Sequence, residues 1–280
     1  MHNQLLFCLV FLCQILLISG WMARKSVMNM RSLHLSFPPT EYPRMYPFPP
    51  AHYERVQRRF MVASAMAGVV GIVILVYLLN TPRDGSWDHA IATGYGLLQY
   101  LPLVLWEFSR RAELQMMRDT ATTRRAQLVP RRMLDVLPRK LLGLALLVYL
   151  SLFPFVVYVN QFDYPWFGGY LNLVIISGMN VGFFVMLFLQ VHGKKLDPYQ
   201  DGQDRQRHLQ ELARLLLLVS IAATLFAMLT VSLRVFDLTH LKGVSHSLYF
   251  QLLALLAFPT YHQRNLDYDV YKDGSQAASA

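Results

Sequence analysis

Charged side chains are scarce in this sequence, and the scarcity is concentrated in a few long stretches. Only 15% of the 280 residues are Asp, Glu, Lys or Arg, against about 25% in an average soluble domain. Several stretches of about 18 to 22 residues carry almost no charge, which lets a helix cross ~30 Å of hydrocarbon at ~1.5 Å per residue. The composition therefore predicts an all-α, polytopic transmembrane helical bundle and excludes a soluble domain with a large core.

Cysteines and catalytic motifs are also nearly absent. Cys8 and Cys13 are the only cysteines, so the sequence offers neither a zinc-binding set nor a disulfide framework. It contains no H-E-x-x-H, G-x-S-x-G or phosphate-binding loop motif. No Asp, Glu, Lys, Arg or His lies in the middle of an apolar stretch, where membrane enzymes place such groups. We therefore expect a non-enzymatic protein with no catalytic residue, metal site or cofactor.

Six apolar runs are clear transmembrane candidates, and none of them alternates as the strands of a membrane barrel would. Short and long segments separate them in turn, so that the runs pair into helical hairpins. Their predicted limits are 60–80, 91–108, 141–159, 170–191, 213–233 and 244–261. The predicted architecture is a bundle of six or seven spans, arranged as three hairpins plus an N-terminal apolar segment.

The N-terminal run, residues 5–22, admits three interpretations. An uncleaved helix is favoured, because no basic residue precedes the run and no small-x-small cleavage site follows it. A true start at Met22, Met28 or Met45 is the second interpretation. A cleaved signal ranks last, because cleavage would export the arginine-rich stretch that follows and oppose the positive-inside rule.

Basic residues predict the orientation, because Lys and Arg accumulate in cytoplasmic loops. Of the 26 Lys and Arg residues, only Arg83, Arg234 and Lys242 lie outside four segments that should therefore be cytoplasmic. Those segments are 21–59, 107–140, 192–214 and 260–280. We expect an inner-membrane protein with a cytoplasmic C-terminus. Its predicted parts are an N-terminal segment (1–23), a basic and Pro-rich arm (24–59), a six-helix transmembrane domain (60–261) and a tail (262–280).

The net charge of +9 raises the question of a nucleic-acid partner. The distribution of the arginines argues against one, because in the loop 124–140 they alternate with apolar residues. That pattern is typical of a segment lying on a membrane surface with its cations on anionic headgroups. We expect contacts with the bilayer and its anionic headgroups, and no nucleic acid. The candidate lipid-contact residues are Arg124, Arg125, Arg131 and Arg132.

Four amide side chains lie within or at the edge of the apolar runs: Gln99, Asn172, Asn180 and Gln251. Such groups either hydrogen-bond a neighbouring helix or line a polar pocket for a neutral ligand, and the sequence leaves both open. The predicted function is a sensor or a membrane protein that binds a cytoplasmic or membrane partner. A transporter of a small neutral solute is the alternative, since it too needs no charge within the membrane.

Three apolar runs end with a basic residue followed three places later by an acid. The pairs are Arg110–Glu113, Lys194–Asp197 and Arg264–Asp267. This spacing allows an ion pair on a helix that continues past the membrane surface. Residues 204–233 contain neither Gly nor Pro, which predicts one continuous helix of about 30 residues with Asp204 as its N-cap.

Overall fold

A computed structural model of the chain describes residues 2–81, 87–120, 133–193, 195, 197–258 and 267–272. Within these ranges the chain forms helices joined by turns, and no strand occurs. The predicted all-α helical bundle is confirmed.

Helices cover the described parts of the predicted apolar runs, and several helices extend well beyond them. In chain order they are His2–Gln14 (α1), a π-helical segment Ile15–Met22, Ala23–Ser36 (α2), Pro50–Asn80 (α3), Asp88–Thr120 (α4), Met133–Val136 (α5), Arg139–Asn160 (α6), Tyr170–His192 (α7), Gly202–Val235 (α8) and Lys242–Ala257 (α9). The π-helical segment joins α1 to α2 without a break. Much of the predicted arm over 24–59 is therefore helical, because α2 covers its beginning and α3 covers its end.

Helix starts follow local chemistry. Pro50 stands at the first position of α3, where a missing backbone N–H costs nothing. The continuous helix predicted from residue 204 is confirmed as α8, but its N-cap is Asp201, whose carboxylate accepts a hydrogen bond from the Gln203 backbone N–H at 3.2 Å. Asp204 lies one turn further into the helix, where its buried carboxylate accepts the Asp267 backbone N–H at 2.9 Å.

Five helical segments of the described chain are long and apolar enough to cross a membrane. They are Gln4–Ser36, Pro50–Asn80, Arg139–Asn160, Tyr170–His192 and Gly202–Val235. Helix α4 falls short of this hydropathy because polar or weakly apolar residues interrupt its apolar stretch, namely Tyr95, Gln99, Tyr100 and Pro102. Helix α9 has only 16 described residues, and a full crossing takes about 20. The count of six or seven spans stays a prediction.

The N-terminal helix lies at the centre of one group of helices. Phe7 and Phe11 of α1 are fully buried, and they pack with Leu75 of α3, Tyr95 of α4 and Val244 of α9. Of the most apolar part of this segment, 39% is buried, against 11% for α7. The run that was hardest to interpret in the sequence is therefore the most enclosed of the five membrane-length segments.

A second group contains α6, α7 and α8, with the short α5 packed at one end. Its apolar cluster joins Leu187 and Val191 of α7 to Ala213 and Leu216 of α8, and Val136 of α5 packs against them. Helix α8 also packs on α9, and thereby connects the two groups. The three predicted hairpins are all present as packed pairs, α3 with α4, α6 with α7 and α8 with α9.

Contacts between helix ends define two ends of the bundle. At one, which we call the basic end, His52 meets Glu113, Gln210 donates to the Asp135 carbonyl, and Phe37 stacks on Tyr268. At the other, the Arg234 guanidinium lies 4.4 Å from the centre of the Trp166 ring. The described parts of the four lysine- and arginine-rich segments meet at the basic end.

Candidate functional site

A buried polar network joins the N-terminal helix to α4. The Gln14 side-chain amide donates to Gln99 Oε1 at 2.8 Å. Gln99 Nε2 lies 3.0 Å from Ser19 Oγ, 3.2 Å from the Tyr95 hydroxyl and 3.3 Å from the Gln14 carbonyl. Tyr95 in turn donates to the Ala67 carbonyl of α3 at 3.1 Å. Gln99 and Gln14 are 3% and 0% exposed, so these bonds take the place of contacts with water.

The same network reaches α9. The Ser247 hydroxyl donates to Gln14 Oε1 at 2.6 Å, and Gln251 Nε2 donates to the Val10 carbonyl at 3.1 Å. The candidate residues Gln99 and Gln251 thus bind the same helix from two sides. Gln14 is the residue on which the network is centred, and its place in the uncertain first run is why the sequence did not single it out.

The candidate residue Asn180 belongs to a separate cluster between α7 and α8. Its Oδ1 accepts a hydrogen bond from Ser220, and its Nδ2 lies 3.0 Å from the Ile176 carbonyl and 3.4 Å from Thr224 Oγ1. Thr224 is 1% exposed. These contacts tie two helices of the second group together, which is the role of interhelical amides in a bilayer.

The candidate residue Asn172 lies in neither cluster. It is half-buried in the first turn of α7, and a Cβ placed on Gly168 would lie 3.5 Å from its Nδ2. The four candidate pocket residues are therefore distributed over two polar clusters and one helix start. The hydrogen bonds of Gln99, Gln251 and Asn180 are those of helix packing.

A cavity of about 40 Å³ adjoins the first network. It lies between the π-helical segment, the start of α2, helices α3 and α4, and the last turn of α9. Most of the lining is apolar, and its polar groups are serine hydroxyls, the Gln99 amide and Tyr100, whose hydroxyl donates to the Phe250 carbonyl at 2.8 Å. No Asp, Glu, Lys, Arg or His side chain lines it. Six residues of the lining are Ser19, Met22, Ser64, Gln99, Pro102 and Ala257.

An ionisable pair that the sequence did not predict lies at the basic end, beyond the apolar stretch of α4. His52 Nε2 of α3 is 3.6 Å from Glu113 Oε1 of α4, and the Glu113 side chain is 20% exposed. Burial raises the pKa of Glu113 from its ordinary value of 4.5 to about 7, against the opposing effect of the Arg110 guanidinium. Phe48 covers one face of the His52 ring, with ring centres 4.4 Å apart.

The predicted pair between Arg110 and Glu113 is wrong. Arg110 instead forms a two-pronged contact with Glu107, in which Nε lies 2.9 Å and Nη2 3.2 Å from the carboxylate oxygens. Arg111 adds a third contact to the same carboxylate at 3.4 Å. Arg110 thus pairs with Glu107, three residues before it, and Glu113 pairs with His52. Lys194 and Arg264 of the other two pairs lie outside the described residues.

Aromatic side chains from three distant segments meet at the basic end. We call this group the aromatic platform and define it as Phe37, Tyr42, Tyr199, Tyr268 and Tyr271. Phe37 stacks on Tyr268 at 3.8 Å and touches Tyr42 at 5.1 Å between ring centres. Tyr199 packs edge-on against Tyr271 at 6.2 Å. The platform therefore fixes the chain after α2, the turn before α8 and the C-terminal segment against one another.

Charged side chains contact the platform rings and stabilise their arrangement. The Tyr271 hydroxyl donates to Asp197, and the pKa of this tyrosine is raised by burial and by the nearby carboxylates of Asp197 and Asp204. The Arg44 guanidinium lies 5.4 Å from the centre of the Tyr199 ring, and Lys272 Nζ lies 5.4 Å from that of Tyr42. The Pro-rich stretch 38–50 folds back over these partners through turns and one 3₁₀ turn.

The four candidate lipid-contact residues, Arg124, Arg125, Arg131 and Arg132, lie outside the described residues. Other arginines at the basic end are described and exposed next to the apolar helices, among them Arg58, Arg59 and Arg214. Within the described ranges, no group of three or more His, Cys, Asp or Glu side chains is arranged to hold a metal ion.

The apolar helices, whose many large exposed side chains face outward, define a helical membrane protein in contact with lipid. We found no match to this chain among protein-family models, curated proteins or solved structures.

Proposed function

We propose that this is a non-enzymatic membrane protein that acts by binding a protein partner at the aromatic platform. The observation that carries the proposal is the platform itself. Segments 37–46, 197–204 and 267–272 are ordered against each other by stacking, cation–π and hydrogen-bond contacts. Surfaces that are fixed before binding lose less conformational entropy when a partner docks.

The composition of the platform supports recognition. Tyrosine and arginine are the residues most often enriched where protein partners bind, because one side chain supplies both apolar area and polar contacts. Glu41 and Asp269 are exposed at the platform. They place carboxylates beside an aromatic cluster in which Tyr42 and Tyr271 are buried and the other rings are half-buried. The platform and the basic residues lie at the same end of the bundle. We propose that this end faces the cytoplasm and that the protein lies in an inner membrane. A partner bound there would then be a cytoplasmic protein or a neighbouring membrane protein.

The interior supports binding over transport of a neutral solute. Gln99, Gln251 and Asn180, three of the four residues suited to a solute pathway, are engaged in hydrogen bonds between or along helices. The cavity beside Gln99 has about 40 Å³, and about 10 to 15 Å³ on this measure holds one water. A sugar or amino acid would require the helices to move apart.

The proposal is tested by site-directed crosslinking in cells. A photoreactive amino acid replaces Glu41 or Asp269 at the platform, and in the matched control it replaces Phe236, which is 72% exposed at the opposite end. We expect both platform positions to give the same discrete adduct and the control to give none. Adduct formation should fall when Tyr271→Ala removes the contact with Asp197.

The transporter alternative has its own readout. The purified protein in liposomes should leave the flux of neutral solutes unchanged. Saturable flux that is abolished by Asn180→Ala or Asn172→Ala, with no adduct at either platform position, would decide for transport and against the proposal.

A further inference from the structure

Two irregularities of the helical backbone lie at the same cavity. One is the π-helical segment Ile15–Met22, which contributes Ser19 and Met22 to the lining. The other is Pro102, a buried proline within α4. π-Helical turns are rare and are frequently found at functional sites. Their meeting at one cavity, within the apolar part of a membrane protein, points to a polar site.

Both irregularities change the backbone hydrogen bonding there. Pro102 has no N–H, so it cannot donate to the carbonyl four residues earlier, that of Leu98. In the π-helical segment, backbone hydrogen bonds join residues five positions apart, whereas those of an α-helix join residues four apart. In hydrocarbon, backbone groups freed in this way are satisfied by neighbouring side chains or by ordered water.

The chemistry of the lining selects the ligand. Ser19, Ser64 and Gln99 offer hydroxyl and amide groups, and no side chain of the lining carries a charge. Gln99 Oε1 accepts one hydrogen bond from Gln14, and an amide oxygen can accept two. A cavity of about 40 Å³ has room for about three waters at 10 to 15 Å³ each. The lining thus suits a neutral ligand that both donates and accepts hydrogen bonds.

We propose that this cavity is a hydration site, in which a cluster of two or three waters links Ser19 and Ser64 to Gln99. The waters would bridge the π-helical segment, α3 and α4 at the place where the backbone is irregular. This site lies in the interior of the bundle and is separate from the aromatic platform.

Hydroxyl-radical footprinting with short X-ray pulses tests the site on the purified full chain in detergent. Radicals form from the waters themselves, so a buried methionine beside bound water is oxidised faster than one in a dry environment. Met22 lines the cavity and is 7% exposed. Met117 is also 7% exposed and does not line it, so it is the internal control. We expect Met22 to be oxidised severalfold faster than Met117.

A second variant tests the role of the cavity. Ala257→Leu places a larger apolar side chain at the lining and should reduce the oxidation of Met22 to the rate of Met117. An unchanged rate at Met117 in the variant shows that the fold is kept. Equal rates at Met22 and Met117 in the unsubstituted protein would overturn the proposal, because they would mean a dry cavity. A Met22 rate that stays high in an Ala257→Leu protein with native Met117 protection would overturn it as well.

Discussion

We expect Glu113 to make the stability of the protein depend on pH near neutrality, because burial raises the pKa of its carboxyl. Its carboxyl lies between α3 and α4, 3.6 Å from His52. It also interacts electrostatically with Tyr53 of α3 and with Arg110 of α4. Arg110 in turn lies near His208 of α8. Replacing Glu113 by Gln keeps the shape of the protonated acid and removes its charge at every pH. The substitution therefore separates the cost of the buried charge from the packing of the side chain.

The magnitude follows from the pKa. A rise from 4.5 to about 7 corresponds to about 3 kcal/mol. Because the folded protein binds this proton more tightly than the unfolded chain does, the stabilisation is fully present below pH 4.5 and is lost as the pH rises through 7. At pH 8 Glu113→Gln should be more stable than the unsubstituted protein by up to about 3 kcal/mol, or roughly 6 °C in Tm for a chain of this size. At pH 4.5 the two should be alike.

The assay is thermal unfolding of the purified protein in a neutral detergent, followed by tryptophan fluorescence from pH 4.5 to 8. Asp119→Asn is the control, because Asp119 is an exposed acid on the same helix; it should leave the pH profile unchanged. A Glu113→Gln protein that is less stable than the unsubstituted chain at pH 8 would refute the reasoning. It would show that the attraction between Glu113 and His52 outweighs the cost of burying the carboxylate.

Three further predictions concern packing and lipid contact. Gly96→Ala should lower the free energy of unfolding by about 1 to 3 kcal/mol, because the added methyl would lie 2.5 Å from the Phe250 ring, whereas Gly94→Ala meets open space and should not destabilise; equal Tm values for the two would contradict the packing. Gln14→Ala should cost about 1 to 3 kcal/mol, since Gln99 and Ser247 lose their buried partner, and unchanged thermal unfolding would speak against the network. Replacing the four arginines Arg124, Arg125, Arg131 and Arg132 with Gln should reduce the Tm gain that anionic lipid gives over zwitterionic lipid, by about 1 kcal/mol of binding per charge; an undiminished gain would contradict the predicted contact.

The helices could be predicted because a bilayer demands long apolar runs, and such runs are visible without any knowledge of packing. The extensions of α3 and α4 beyond the apolar runs could not be predicted. They consist largely of polar residues, and whether such residues form a helix depends on the helices packed against them. The cap of α8 was misplaced by three residues for a similar reason. Asp201 and Asp204 are equally good caps in sequence, and the contact of Asp204 with the backbone of Asp267 is tertiary.

The candidate site was predictable in kind and not in arrangement. Amides in apolar runs are expected to meet other helices, and Gln99, Gln251 and Asn180 do so. Which helices they contact depends on which helices are neighbours in the bundle, and the periodicity of the sequence does not predict that. The sequence predicts a pair between Glu113 and Arg110 because residue spacing indicates only contacts within one helix. Its contact with His52 crosses between helices.

The hydrogen bond between Gln14 and Ser247 joins residues 233 positions apart, and this separation constrains how the protein is made. At about 5 to 20 residues per second, roughly 10 to 50 seconds of synthesis separate the two. During that time the Gln14 amide is in the growing chain without the helix that completes its surroundings, and a bare amide is costly in lipid. The nascent N-terminal helix must therefore wait beside another polar group, in the insertion machinery or on α4, until α9 arrives to enclose it.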